Sequence, residues 1–257
     1  MSDLVEMVLI PTGEFMMGAL PDDENARDDE KPRHKVEITK DFYVGKYPVT
    51  QKLYLEVMGY NYSNFEGEDR PVDNVSWFEC VEFCNKLSEL EGKEPVYTIN
   101  GENVTCNWHA KGYRLLTEAE WEYCARGGEE HLYAGSDTIA QVAWYSDNSS
   151  GATHPVGDKQ KNGFGLYDMS GNIWELCWDA ALYDHEFNHV DSSVYTMNPR
   201  KDPGVHRAAP VRMVRGGSWE NGPGGCRSSF RDEDYSSNFG ENLGFRFVRD
   251  TVSSIGS

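Results

Sequence analysis

The chain has 257 residues, 39% hydrophobic and 26% charged, which suits a soluble globular protein long enough to bury a sizeable core. A formal net charge of -19 leaves few cations to displace counterions from a phosphate backbone, so nucleic acid is excluded as a partner. No apolar run approaches the roughly eighteen residues of a membrane span, the N-terminus M-S-D-L-V-E lacks a basic leader pattern, and the six cysteines contain no C-x-x-C and are too sparse for a disulfide framework.

In chain order, E-M-V-L-I-P-T-G-E-F-M-M-G reads as two strands around a turn at Pro11 to Gly13. The acidic stretch from Pro21 to His34 reads as a solvated loop. Ser76 with Glu79, and Thr117 with Glu120, form capping boxes that each open a helix. Both helices then place aromatic and Cys residues three and four apart, which predicts a buried face. Beyond Gly127 the chain is rich in Gly, Asn, Ser, Asp and Pro with short apolar runs, so irregular loops are expected. Within it, Gly165 to Asp179 (G-L-Y-D-M-S-G-N-I-W-E-L-C-W-D) combines aromatic bulk, turn residues and carboxylates, and reads as an organiser of the fold. No repeat, low-complexity linker or composition shift interrupts the chain, so one domain over 1–257 is expected.

The most distinctive stretch runs from Arg215 to Arg246. R-G-G-S-W and N-L-G-F-R bracket a segment, Glu220 to Glu241, in which fifteen of twenty-two residues are Gly, Ser, Asn, Asp, Tyr or Phe. Such a mixture suits contact: aromatic rings give area at low entropic cost, while Ser, Gly and Asn give adaptable hydrogen bonding. The candidate ligand-binding residues are Trp219, Glu220, Asn221, Gly222, Gly224, Gly225, Phe230, Asp232, Glu233, Asp234, Tyr235, Asn238, Phe239 and Glu241. The plainer alternative is a glycine-rich surface loop. A second motif, H-E-F-N-H at His185 to His189, matches the zinc pattern H-E-x-x-H, but its flanks carry no amphipathic helix and no third ligand, so it reads as a coincidence of loop sequence.

Seven ordered blocks resemble one family: M-V-L-I-P-T-G-E-F-M-M-G, K-Y-P-V-T-Q, P-V-D-N-V-S-W, Y-R-L-L-T-E-A-E-W-E-Y-C-A-R-G-G, G-L-Y-D-M-S-G-N-I-W-E, R-G-G-S-W and N-L-G-F-R. They look like the formylglycine-generating enzymes, or sulfatase-modifying factors. The resemblance implies an α+β fold of the C-type-lectin-like type: a small antiparallel sheet, flanking helices and many irregular loops. It also implies a copper-binding pair of cysteines shortly after G-G-S, but those positions fall on Asn221 and Cys226, and an amide does not replace a thiolate on Cu(I). Formylglycine synthesis is therefore not expected, and no catalytic residue is assigned. Iron-dependent members imply an added histidine-rich helical domain, for which this chain has no room. A structural calcium is also implied, with Asn172 and Glu175 at the matching positions; no cofactor is otherwise required.

A contact-rich segment on this scaffold resembles the variable proteins of diversity-generating retroelements, in which mutagenised Asn codons yield a restricted set of residues. Asn221, Gly222, Pro223, Gly224, Gly225, Asp232, Asp234, Tyr235, Asn238 and Phe239 belong to that set; Glu220, Glu233 and Glu241 do not. The expectation is a non-catalytic ligand-binding protein whose region 215–246 meets a protein or other surface ligand. The alternative is a formylglycine-generating-type oxidoreductase or accessory protein with an altered active site. A monomer is expected, and the resemblance further implies the cell surface or envelope if a leader has been removed.

Overall fold

A computed structural model describes residues 5–181, 200–204, 206 and 208–251. The opening block forms β1 (Met7–Ile10) and β2 (Gly13–Met17) as expected, but the two do not pair with each other. β2 pairs with β3 (His34–Ile38), whereas β1 pairs with β4 (Phe42–Gly45), both antiparallel.

A helix not foreseen in the sequence, α1 (Gln51–Met58), follows; the Thr50 hydroxyl caps it and Gly59 ends it in the left-handed region at φ 83°. Both predicted capping boxes are present. Ser76 and Glu79 open α2 (Trp77–Leu90), which buries Trp77, Cys80, Phe83, Cys84 and Leu87 along one side. β5 (Tyr97–Asn100), β6 (Asn103–Cys106) and β7 (Tyr113–Leu115) come next. Thr117 and Glu120 then open α3 (Glu118–Arg126). The later part of the chain is irregular, as predicted, with a single turn of helix, α4 (Ile139–Val142), before the long β8 (Trp174–Ala180).

The remaining strands are β9 (Arg200–Lys201), β10 (Val211–Arg215), β11 (Arg231–Tyr235), β12 (Leu243–Phe245) and β13 (Phe247–Asp250). The described strands form four small sheets, in the orders β1-β4-β13-β7, β11-β10-β8-β12, β2-β3-β9 and β5-β6. Where the resemblance implied one antiparallel sheet, two four-stranded sheets carry the fold, and β12 lies parallel to β8.

Every residue of β8 is buried, because β10 and β12 flank it and helices cover it. The turn into β8 explains G-N-I-W-E: Gly171 sits at φ 72°, and a Cβ there would come within 2.2 Å of the Trp144 carbonyl oxygen. Trp77, Trp174 and Trp178 join Phe83, Phe245 and Phe247 in one core cluster, while Trp121, Met17 and Phe42 belong to another.

Candidate functional site

The stretch from Gly216 to Asn242 is a long hairpin connection followed by an edge. The chain leaves β10 at Arg215, turns through Gly216 and Gly217, runs to the 3-10 turn Pro223–Cys226, and returns antiparallel beside β10 as β11. It then crosses to β12 through residues 236–242. Gly217 lies at φ 73°, and a Cβ on it would meet the Gly225 carbonyl oxygen at 2.7 Å and the Cys226 sulfur at 2.8 Å, so no other residue fits this turn.

Four buried arginines hold this stretch to the body. Arg215, at its start, donates to Glu122 and to the Phe230 carbonyl. Arg227, in its middle, forks onto Glu30 at 2.6 and 2.7 Å and reaches Asp23 at 2.5 Å. Arg231 forks onto Glu118 with two 2.6 Å bonds. Arg246, just past its end, donates to Glu175 from Nη2 at 2.8 Å and from Nε at 3.1 Å. Paired two-pronged contacts of this kind fix position as well as charge. Burial alone would raise the Glu30 and Glu122 carboxyls, but the arginines bound to them outweigh it and hold both below the ordinary carboxylate range.

Sequence reading placed the acidic loop 21–34 in solvent, yet Asp23 and Glu30 turn inward to grip Arg227. It also treated 220–241 as one display segment, and the structure divides that segment in three. Cys226, Arg227, Ser228, Ser229 and Arg231 are buried. Phe230, a predicted contact residue, packs inward: its ring lies 6.1 Å from that of Trp174, with Arg27 5.1 Å over its face. The exposed positions fall on either side of this buried bridge. Glu220, Gly222 and Gly224 lie before it; Tyr235, Asn238, Phe239 and Glu241 lie after it. Asn221 and Gly225 are half-buried, and Asn221 is spent locally, its Oδ1 accepting from the Ser218 amide and hydroxyl at 2.9 and 2.6 Å.

Trp219 joins the two exposed stretches. It is half-buried, and its indole Nε1–H donates to the Glu241 carbonyl at 3.2 Å, while Asn242 donates to Glu220 alongside. The two exposed stretches are therefore one surface. Asp232, Glu233 and Asp234 are half-buried on β11, one of the two edge strands of its sheet among the described residues. Asp232 and Asp234 accept from the following amides, of Glu233 and Tyr235, at 3.0 and 2.7 Å, which leaves that edge poorly suited to adding a strand. Asp234 also accepts from Asn238 at 2.9 Å and holds the turn that presents Phe239.

Sequence reading missed a neighbouring loop that adjoins this surface. Asn64 donates to Glu241 at 2.9 Å, and the Phe65 ring stands edge-on to Trp219 at 5.3 Å. Only the aromatic, Asn-rich character of Y-N-Y-S-N-F could have flagged it.

Glu175 Oε1 receives Arg246, and its Oε2 receives the Trp121 indole at 2.7 Å. Asn172 Oδ1 accepts from the His154 amide at 2.9 Å and its Nδ2 donates to the His154 carbonyl at 3.1 Å. Both side chains are spent on protein partners and Glu175 faces a guanidinium, so the pair as arranged does not fit a calcium ion. The copper positions fit no better: Asn221 offers no thiolate, and burial pushes the Cys226 thiol up to about 12. His185 and His189 lie outside the described residues.

The model of the sulfatase-modifying factor enzyme 1-like domain matches residues 2–251. The chain belongs to this family. Among similar proteins, it is 35% identical to chaperone protein LppX of Paenibacillus barcinonensis, over 81% of this chain and 80% of that one. It is 27% identical to the formylglycine-generating enzyme of Mycobacterium tuberculosis, covering 97% of this chain and 99% of the enzyme. It also matches the serine/threonine-protein kinase pkn1 of Chlamydia pneumoniae, but spans only 38% of that protein. Among solved structures, Treponema denticola variable protein 1 superposes with a TM-score of 0.82 at 30% identity over 95% of both chains. The expected fold and family are thereby established.

Proposed function

We propose that this protein is a non-catalytic ligand-binding member of the sulfatase-modifying-factor family, and that the surface on either side of the buried bridge 226–231 meets its ligand. One observation carries the reading: exposed side chains stand on a backbone held at 215, 227, 231 and 246 by buried ion pairs. A frame fixed in this way lets the outward positions change without disturbing the fold. Gly222 and Gly224 fit this division, since a Cβ at either meets nothing within 4 Å. The likeness to Treponema denticola variable protein 1 supports the same reading.

The contact residues proposed are Glu220, Gly222, Gly224, Tyr235, Asn238, Phe239 and Glu241, with Trp219 as the joint between the two stretches. A display library randomised at these seven positions, selected against a panel of purified proteins, tests the proposal. Binders whose affinity disappears on restoring the original residues support it. Failure to select any binder, together with turnover of a C-x-P-x-R peptide by the original protein, would replace it with an oxidase.

A second reading, an accessory protein that engages one particular polypeptide, draws on the 35% identity to a protein named as a chaperone. It would use the same surface with a single partner.

A further inference from the structure

We infer that the loop 60–66 forms a third wall of this surface, and that the completed surface takes a protein partner presenting exposed Lys or Arg side chains. The inference rests on the ligand-binding reading above and adds to it a wall and a partner chemistry.

The loop is held in place from beneath. The buried carboxylate of Asp73 accepts from the amides of Asn64 and Phe65 at 2.7 and 3.4 Å. Asn74 bridges the two walls, donating from Nδ2 to the Tyr62 carbonyl at 3.0 Å and from its amide to the Gly240 carbonyl at 2.8 Å. Asn64 ties the loop to Glu241 and Phe65 ties it to Trp219, as described above. On this fixed loop Tyr62 is 70% exposed, its ring 5.1 Å from that of Tyr60, and across Asn74 stands Phe239, 54% exposed. Aromatic rings left in water on a pinned backbone are unburied contact area.

Charge decides the occupant. Residues 59–66, 219–225 and 232–242 together contain six carboxylates and no Lys or Arg. Glu66, Glu220 and Glu241 are exposed around the rings. Ring faces attract cations, and carboxylates pair with guanidinium or ammonium groups, so both features of the surface favour the same partner. An acidic partner would meet uncompensated like charge, and a wholly apolar one would leave the carboxylates desolvated.

The test uses fluorescein-labelled octa-arginine, octa-lysine and octa-glutamate, followed by fluorescence anisotropy at low salt. The basic peptides should bind and octa-glutamate should not. Tyr62→Ala and, separately, Glu241→Gln should each weaken octa-arginine by about 5-fold without shifting the melting temperature. Glu89→Gln with Glu94→Gln, a pair of exposed carboxylates at and just beyond the C-terminal end of α2, more than three helical turns from the Trp77 amide that bonds the Ser236 carbonyl, should leave binding unchanged. If the distant pair weakens binding as much as Glu241→Gln, or if Tyr62→Ala leaves affinity intact, the attraction is general to an acidic protein and the inference falls. That result would leave the ligand-binding reading standing, because the library selection decides it separately.

Discussion

Arg227 and Glu30 lie 197 positions apart in the chain and meet in a fully buried two-pronged ion pair at 2.6 and 2.7 Å. The contact fastens the middle of the C-terminal segment to the N-terminal acidic loop. Ser229 donates to the same carboxylate at 2.7 Å, and Asp23 adds a second carboxylate to Arg227. The most polar part of the segment is thus its most fixed part.

Removing one partner of such a pair strands the other charge in the interior. Arg227→Ala should therefore destabilise the protein by about 3–5 kcal/mol, measured by urea unfolding. Asp22→Asn, on the same loop but exposed, should change stability by less than about 0.5 kcal/mol. Equal effects from the two substitutions would remove Arg227 from the frame.

Trp121 and Trp174 are 1% and 5% exposed, and the Trp121 indole also donates to Glu175. Alanine at either position should cost roughly 3–5 kcal/mol through lost burial and the cavity left behind. A variant melting within a degree or two of the original protein would show that its residue is not core.

The two capping boxes, the irregular later half and the buried aromatic faces of α2 and α3 were legible because each depends on residues within a few positions of one another. Pairing was not. Two adjacent strand patterns, Met7–Ile10 and Gly13–Met17, gave no sign that they belong to different sheets. Glu118 and Glu122 look like ordinary solvated helix residues in E-A-E-W-E-Y, and only the arrival of Arg231 and Arg215 from more than ninety positions away makes them interior. For the same reason the segment 220–241 read as uniformly exposed: composition reports what residues can do at a surface, not which of them a distant carboxylate draws inside. Glu175, which the resemblance puts at a calcium position, is met in the fold by an arginine that arrives from 71 positions away.

Asp73 gives the protein a pH dependence of definite sign. Burial pushes its carboxyl up to about 6, against an ordinary value near 4, despite the hydrogen bonds from Asn64 and Phe65. The folded state then binds more proton than the unfolded state between about pH 4 and 6, so this group's contribution to stability falls as pH rises through that window and levels off above it. Two pKa units correspond to about 3 kcal/mol. Asp73→Asn should remove that component, so that the variant's melting temperature rises relative to that of the original protein from pH 4.5 to pH 7. A constant difference across the range would contradict the assignment.

The Cys226 thiol is fully buried and held up to about 12. It should remain unmodified by a thiol reagent in the folded protein and react once urea unfolds it. Copper uptake should not change on Cys226→Ser. Tight Cu(I) binding lost in that variant would restore the oxidase reading.

The most direct measurement compares two sets of variants by thermal melting. In the first, Glu220, Gly222, Gly224, Tyr235, Asn238, Phe239 and Glu241 are replaced together by random mixtures of Ser, Asn, Tyr and Asp. In the second, Arg215, Arg227, Arg231 and Arg246 are each changed to alanine. The account predicts that most clones of the first set melt within a few degrees of the original protein, while each member of the second loses about 10 °C or more. If the random clones unfold and the arginine variants do not, the exposed stretches are structural and the surface is not built for display.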